Sequence, residues 1–459
     1  MIEIVNKKKV NWSLWIIISI IFGVGLLFFM HDDLMETSNH SYILLTDIFK
    51  GRFLDFYLDV EAHENDLYYI NNANYNIFVY IIFALWQLPI ELIRRAAGLT
   101  MNEHLLWIWS KFLPCIFYWF CFKEVFKISK LLSDDNKIVE EASLVYLLSP
   151  ISFFSAFIMG QYVTLCLLFM LLSIRLIQED RYILAMLCFG IAVSLNLLTA
   201  FALLPIILVI ENRIDLQFLS HLAIASIPLI ISSILFIGRK GSSKFSNEML
   251  RRIMSPLVVG DVEIPLYPCV FAIICCCALL FSDDDINHRI RYGIYLSICS
   301  ISCLFLFIEW HPQWIIVLIA LIAIYYGINH NIRLLWPILS ITLCVGFFFY
   351  CFFRFPGQLE INLIDDSVLY FFDIQFEKKV LLFSEVLKKI DAEIPIRMIA
   401  KALFSASLIC ISYFSSPFIK PYSADKNYVF EKYNELFIVF TFICAFCGYM
   451  LCIIFPLFV

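Results

Sequence analysis

Trp15–Met30, WIIISIIFGVGLLFFM, runs directly into His31–Ile43, HDDLMETSNHSYI. The first stretch carries no charge and, with the residues just before it, approaches the length of about 20 residues that a helix needs to cross a hydrocarbon core. The second opens on two adjacent carboxylates, Asp32 and Asp33, beside His31, and stays acidic: residues 31–74 hold nine acidic side chains and two basic ones. A membrane span that ends in paired carboxylates sets the class of the protein and points to chemistry at a membrane face.

The apolar half of that pattern recurs along the chain. Of 459 residues, 62% are hydrophobic and 16% charged, with mean hydropathy +0.85, whereas a soluble domain carries about 25% charged residues. Apolar segments lie near 12–30, 75–93, 104–122, 139–157, 162–177, 182–210, 216–237, 265–281, 292–308, 313–328, 334–353, 397–415 and 435–457. Segment 182–210 is too long for one span and contains Asn196 and Pro205, so a bent pair of short helices is expected there. The expected fold is an all-α integral membrane protein of about 12–14 spans at about 20 residues each. It forms one transmembrane domain over residues 1–459. The 16 Cys fall in or beside apolar segments and read as small buried hydrophobes, not disulfides or metal ligands. A net charge of −6 in an oily chain gives nucleic-acid binding no support.

Lys7, Lys8 and Lys9 precede the first span and no small-residue cleavage site follows it, so an uncleaved anchor with a cytoplasmic N-terminus is expected. Asp32 and Asp33 then face outward. With Arg94 and Arg95 inside, parity places loops 238–264, 309–312 and 354–396 outside. Lys123, Lys127, Lys130 and Lys137 fit that scheme poorly, so one of segments 104–122 or 139–157 is expected to be tilted or re-entrant. Residues 46–57 suit a helix lying along the interface. Loop 354–396, with Lys378, Lys379, Lys388 and Lys389 among eight acids, suits amphipathic helix on the membrane surface.

Four constellations carry chemistry. Asp32 and Asp33 can accept a proton from an attacking hydroxyl or hold a divalent cation; they also suit a solvated helix end. Gly160-Gln161-Tyr162 sets polar groups between two apolar segments, where they need a partner or a ligand; a tight helix–helix turn is the plainer alternative. Glu309-Trp310-His311-Pro312-Gln313-Trp314 offers aromatic faces for a sugar ring, with His311 and Gln313 for hydroxyls or phosphoryl oxygens. An interfacial aromatic belt explains the Trp residues but not His311 and Gln313 together. Arg239, Lys240, Lys244, Arg251 and Arg252 make a cationic loop that, on the outer side, runs against the positive-inside tendency and suits a phosphate. A cytoplasmic position for that loop is the alternative.

Taken together these elements resemble the GT-C class of membrane glycosyltransferases, which use polyprenyl-phosphate-linked sugars. The resemblance rests on His31-Asp32-Asp33 after the first span, Pro150 followed by Gly160-Gln161-Tyr162, Asn196 leading to Pro205, and the late His311-Pro312-Gln313 turn. It covers most of residues 12–330. The chain departs from the pattern at Val163, where many members have Asp or Asn, and at Asn196, where many have Lys. Those departures leave loop 238–252 as the source of positive charge.

The resemblance implies a GT-C-like fold with the site in an outer cavity roofed by loops 31–74 and 354–396. It implies transfer of a sugar from a polyprenyl-phosphate donor to a glycan or lipid acceptor of the cell envelope, on the outer face of a bacterial plasma membrane. Asp32 or Asp33 would be the base, and Arg239, Lys240, Arg251 and Arg252 would neutralise the leaving phosphate. His31, Gln161, Tyr162, Asn196, His311 and Gln313 would position the substrates. Two other classes fit a polytopic chain: a polysaccharide polymerase or ligase taking a lipid-linked oligosaccharide, and a lipid flippase or transporter. A coupled carrier usually needs ionisable residues inside its spans; these are few, and Lys111 can snorkel to an interface.

Overall fold

A break after the first apolar stretch organises one end of the molecule. In a computed structural model, which describes residues 12–62, 73–236, 244–259, 262–355, 361–364, 366–373, 382–420 and 434–455, helix α1 (Trp12–Leu27) meets α2 (Asp32–Phe49) at 60°. His31 caps α2, its Nδ1 accepting the Asp33 backbone N–H at 3.2 Å. Asp32 and Asp33 occupy the first turn, where the helix dipole favours negative charge. The acidic segment is therefore helical from its first carboxylate, not a loop with a helix confined to 46–57. The two aspartates begin a helix and do not end one.

After α3 (Phe56–Ala62), α4 (Ile77–Ala97) runs alongside α2 in the same direction, because Ser38 lies by Gln87 and Tyr42 by Glu91. The 30-residue α5 (Glu103–Leu132) crosses both, and Ser38, Gln87 and Ser110 close a buried polar knot at 2.8–3.1 Å. Segment 139–157 is the bent one. It forms α6 (Asn136–Leu147), then α7 (Pro150–Phe153) and a single π-helical turn (Phe154–Ile158), with a 46° bend between. Ser149 and Pro150 start the second piece as cap and first helical residue.

Next come α8 (Val163–Gln178), α9 (Tyr182–Leu195), α10 (Leu198–Glu211) and α11 (Leu216–Leu235). Segment 182–210 divides as expected, with the break at Asn196; Pro205 stays inside α10. The cationic loop contains α12 (Lys244–Ile253) and a hairpin of β1 (Leu257–Val259) with β2 (Val262–Ile264), antiparallel with Leu257 opposite Ile264. Then follow α13 (Leu266–Leu280), α14 (Ile286–Phe307), a 3₁₀ turn (Pro312–Ile315) leading into α15 (Ile316–Tyr326), and α16 (His330–Arg354). Among the described residues, 354–396 shows 3₁₀ turns at Ile361–Ile364 and Val368–Phe372 and the seven-residue α17 (Phe383–Lys389), not one long surface helix. The chain closes with α18 (Glu393–Phe414) and α19 (Asn434–Ile454).

Among the described residues seven helices are long and apolar enough to cross a membrane, nine elements if each bent pair counts as one span, and five further apolar helices are shorter. This is a polytopic all-α membrane protein. Helix α15 is buried at every position, as a helix apolar all round must be. Between helices in lipid, association rests on close packing of small residues. On α9, a Cβ at Gly190 would lie 2.1 Å from the Ala225 carbonyl oxygen of α11, so only glycine permits that approach.

Candidate active site

Three of the motifs meet at the break between α1 and α2. The Gln161 amide donates to the Asp33 carboxylate, and the Gln313 amide donates to Gln161 Oε1 at 2.5 Å. Asp33, Gln161 and Gln313 thus form one hydrogen-bonded chain across three segments remote in sequence. Gln161 reaches this place because the π turn and its cap Met159 are followed by Gly160, whose φ of +62° turns the backbone where an L side chain is strained. A Cβ there would also stand 3.1 Å from Leu34 Cδ2 and 3.3 Å from Lys111 Cγ. Gln313 is placed by the 3₁₀ turn after His311, with Pro312 at its first position.

His311 extends the cluster toward positive charge. Arg252 Nη1 donates to His311 Nε2 at 3.2 Å, so α12 and the His-Pro-Gln turn share a site. Burial, and then Arg252, push the His311 imidazole below its ordinary pKa, opposed by Asp33. Its ring packs on Trp314 at 5.1 Å and faces Phe355 at 6.3 Å. Arg354, at the end of α16, also acts electrostatically on His311 and pairs with Glu309 at 2.5 Å.

The two aspartates differ. Asp33 is engaged by Gln161. Among the described residues no other side chain donates a hydrogen bond to Asp32, and burial raises its carboxyl above the ordinary range, with Asp33 and Asp366 adding and His31 opposing. Two polar atoms at the site are buried and have no partner among the described residues: His31 Nε2 and Gln313 Oε1. Buried polar atoms are normally hydrogen-bonded, so each marks a place where a ligand or water fits.

Residues 361–364 and 366–372 lie over this end of the molecule. The Met30 N–H donates to the Leu363 carbonyl at 2.6 Å. Asp366 lies 3.3 Å from His104 Nε2, and the Tyr370 ring stacks on His104 with centroids 3.4 Å apart.

Other expected residues fall differently. Tyr162 is buried, its ring 4.5 Å from that of Tyr75, and it serves packing. Asn196 is buried at the α9–α10 break, its Oδ1 accepting the Leu198 N–H at 2.9 Å while its Nδ2 is buried with no hydrogen-bond partner among the described residues. Arg251 and Arg252 both pair with Glu248, at 2.7 and 3.0 Å, but the Arg251 side chain is 73% exposed and that of Arg252 21%, and Arg252 is the one that reaches His311. Arg239 and Lys240 lie outside the described residues. Among the described residues no group of three or more His, Cys, Asp or Glu side chains is placed to hold a metal ion.

The sequence matches no protein-family model and no curated protein. Among solved structures it is similar to ArnT from Cupriavidus metallidurans in the apo state. That match has 11% identity over 95% of this chain and 76% of that chain, with a TM-score of 0.44.

Sequence reasoning passed over His104, Asp366 and Arg354, and misread Lys111. Arg354 carried a signal, standing at the end of an apolar span on the same side of the chain as Glu309. His104 and Asp366 carried none, since they stand 262 positions apart and their meeting depends on how all the helices between them pack.

Proposed function

We propose that this chain is a membrane glycosyltransferase of GT-C type that moves a sugar from a polyprenyl-phosphate donor to a hydroxyl of a glycan or lipid acceptor, on the outer face of the plasma membrane. The observation that carries the reading is the chain from Asp33 through Gln161 to Gln313. It joins motifs that the sequence resemblance had linked only by their order.

In this reading Asp32 takes the proton of the acceptor hydroxyl as its oxygen attacks the anomeric carbon. The bond from that carbon to the phosphate oxygen breaks, and the electron pair leaves with the polyprenyl phosphate. A raised pKa suits a base that must hold the proton it takes. Asp33, fixed by Gln161, orients the turn. Arg252 and Arg354, both close enough to act on His311, supply positive charge where the phosphate departs. His31 Nε2 and Gln313 Oε1 offer hydrogen bonds to sugar hydroxyls.

Purified protein in proteoliposomes, given polyprenyl-phosphate sugar and envelope acceptors, tests the assignment. Transfer with release of polyprenyl phosphate supports it. Turnover only with a lipid-linked oligosaccharide would move the protein to the polymerase and ligase class, and lipid movement without release of polyprenyl phosphate would make it a flippase.

A further inference from the structure

The amine of Lys111 has no role in the reading above. It lies in α5, one of the long apolar helices, and its side chain is fully buried. It does not snorkel. Its Nζ donates to the backbone carbonyls of Gly25, at 2.7 Å, and of Phe29. No described carboxylate pairs with it.

The Gly25 carbonyl belongs to the last turn of α1, where the N–H groups that would continue the helix are missing because the chain bends away, and the Phe29 carbonyl belongs to the linker between α1 and α2. Such terminal carbonyls need other donors, and a cation there also meets the negative end of the helix dipole. The lysine stem runs along Gly160, and Leu34, in the first turn of α2, closes on the same face of Gly160. One side chain therefore contacts the end of α1 and the turn that presents Gln161 to Asp33. A methionine of similar shape would fill the space without the desolvation that a buried ammonium demands. The charge is explained by the carbonyls it holds.

We propose that Lys111 is a positioning residue: by binding the Gly25 and Phe29 carbonyls it sets the α1–α2 break against Gly160, and so sets Asp33 within reach of Gln161 and Asp32 beside the acceptor. The kinetic consequence rests on the transferase reading; the structural consequence does not.

The test uses the full chain with Lys111→Met and Lys111→Arg, read by hydrogen exchange, thermal unfolding and steady-state kinetics. In Lys111→Met, amides of residues 28–36 should exchange faster by about tenfold or more, with α14 and α15 unchanged. Its unfolding temperature should stay the same or rise. kcat should fall about tenfold or more while KM for the lipid-phosphate sugar stays within about threefold. Lys111→Arg, which keeps charge and donors, should recover part of the loss.

Unchanged exchange at 28–36 would overturn the proposal. So would faster exchange spread over all helices with a lower unfolding temperature, since that is a general packing role. If Lys111→Met does not accumulate, Lys111→Gln is read by the same criteria. Local loosening in a chain whose wild type transfers no sugar retires the transferase reading and leaves the positioning role in place. Unchanged exchange with an active wild type does the reverse.

Discussion

Replacing Gln161 by alanine removes two hydrogen bonds from the centre of the site. The first, from the Gln161 amide to the Asp33 carboxylate, is charge-assisted, and such bonds contribute about 1.5–3 kcal/mol net. The second leaves the Gln313 amide nitrogen without its acceptor in a side chain that is 3% exposed. An orphaned buried donor costs about 1–3 kcal/mol. The vacated side chain leaves room for a water to take over part of both roles, which places the loss in the lower half of the sum, about 2.5–4 kcal/mol. Unfolding of the detergent-solubilised chain, followed by tryptophan fluorescence, reads the stability. Transfer in proteoliposomes reads the site, where kcat/KM should fall about 10- to 100-fold, equivalent to about 1.4–2.8 kcal/mol of transition-state stabilisation. Gln161→Glu should do worse, because it sets a second carboxylate against Asp33. A Gln161→Ala chain within about 0.5 kcal/mol of the parent, with full kcat/KM, would refute the reasoning: the three motifs would then touch without depending on one another.

Gly160→Ala should lower stability by about 2–3 kcal/mol, combining the cost of a left-handed backbone with the tight contact to Leu34; an unfolding midpoint equal to wild type counts against the turn geometry. Arg252→Ala should cut kcat/KM about tenfold or more, while Arg251→Ala, on the exposed side of α12, stays within about twofold; equal losses would show that general loop charge matters, not the contact with His311. The pH dependence follows from Asp32 and His311. A base must be ionised, so kcat should rise with pH through the raised Asp32 pKa, in a limb above the ordinary aspartate value of about 3.9; an unshifted limb contradicts the desolvated base. The same shift means that the folded chain holds its proton longer, so the Asp32 contribution to stability falls as pH rises from the ordinary value through the raised one. His311 has the opposite sign. Its lowered pKa makes stability rise with pH from that value to about 6.5, a slope that His311→Asn should remove in pH-dependent unfolding.

Long apolar runs made the membrane class legible, because no soluble fold needs Trp15–Met30 and its repeats. The break at Asn196 was legible for the same reason: a segment too long for one span must bend, and a polar cap is where it does. The start of α2 was misjudged although its signal was present. Acidic residues after an apolar run read as the solvated end of one helix, but His31-Asp32-Asp33 is equally the start of the next, and only the packed 60° bend decides. Of the candidate residues, those between apolar segments that had no local partner, Gln161, Gln313 and His311, come together. Asn196 and Tyr162 looked similar in sequence but stand apart from this chain of hydrogen bonds, Asn196 Oδ1 accepting the Leu198 N–H and Tyr162 packing on Tyr75. Charge alone could not separate Arg251 from Arg252, because their difference is one step around a helix. Lys111 was misread because sequence shows that a lysine lies in an apolar helix, not which carbonyls lie within its reach.

Asp32 carries the central claim, and the measurement that tests it most directly is the turnover rate of Asp32→Asn in proteoliposomes with a polyprenyl-phosphate sugar, compared with wild type and Asp33→Asn. Removing a general base should cost about 10²- to 10⁴-fold in kcat for Asp32→Asn, with normal folding and donor binding. Asp33→Asn, which keeps an oxygen able to accept from Gln161, should lose less. Full transfer by Asp32→Asn, or a loss confined to Asp33→Asn, would contradict the account.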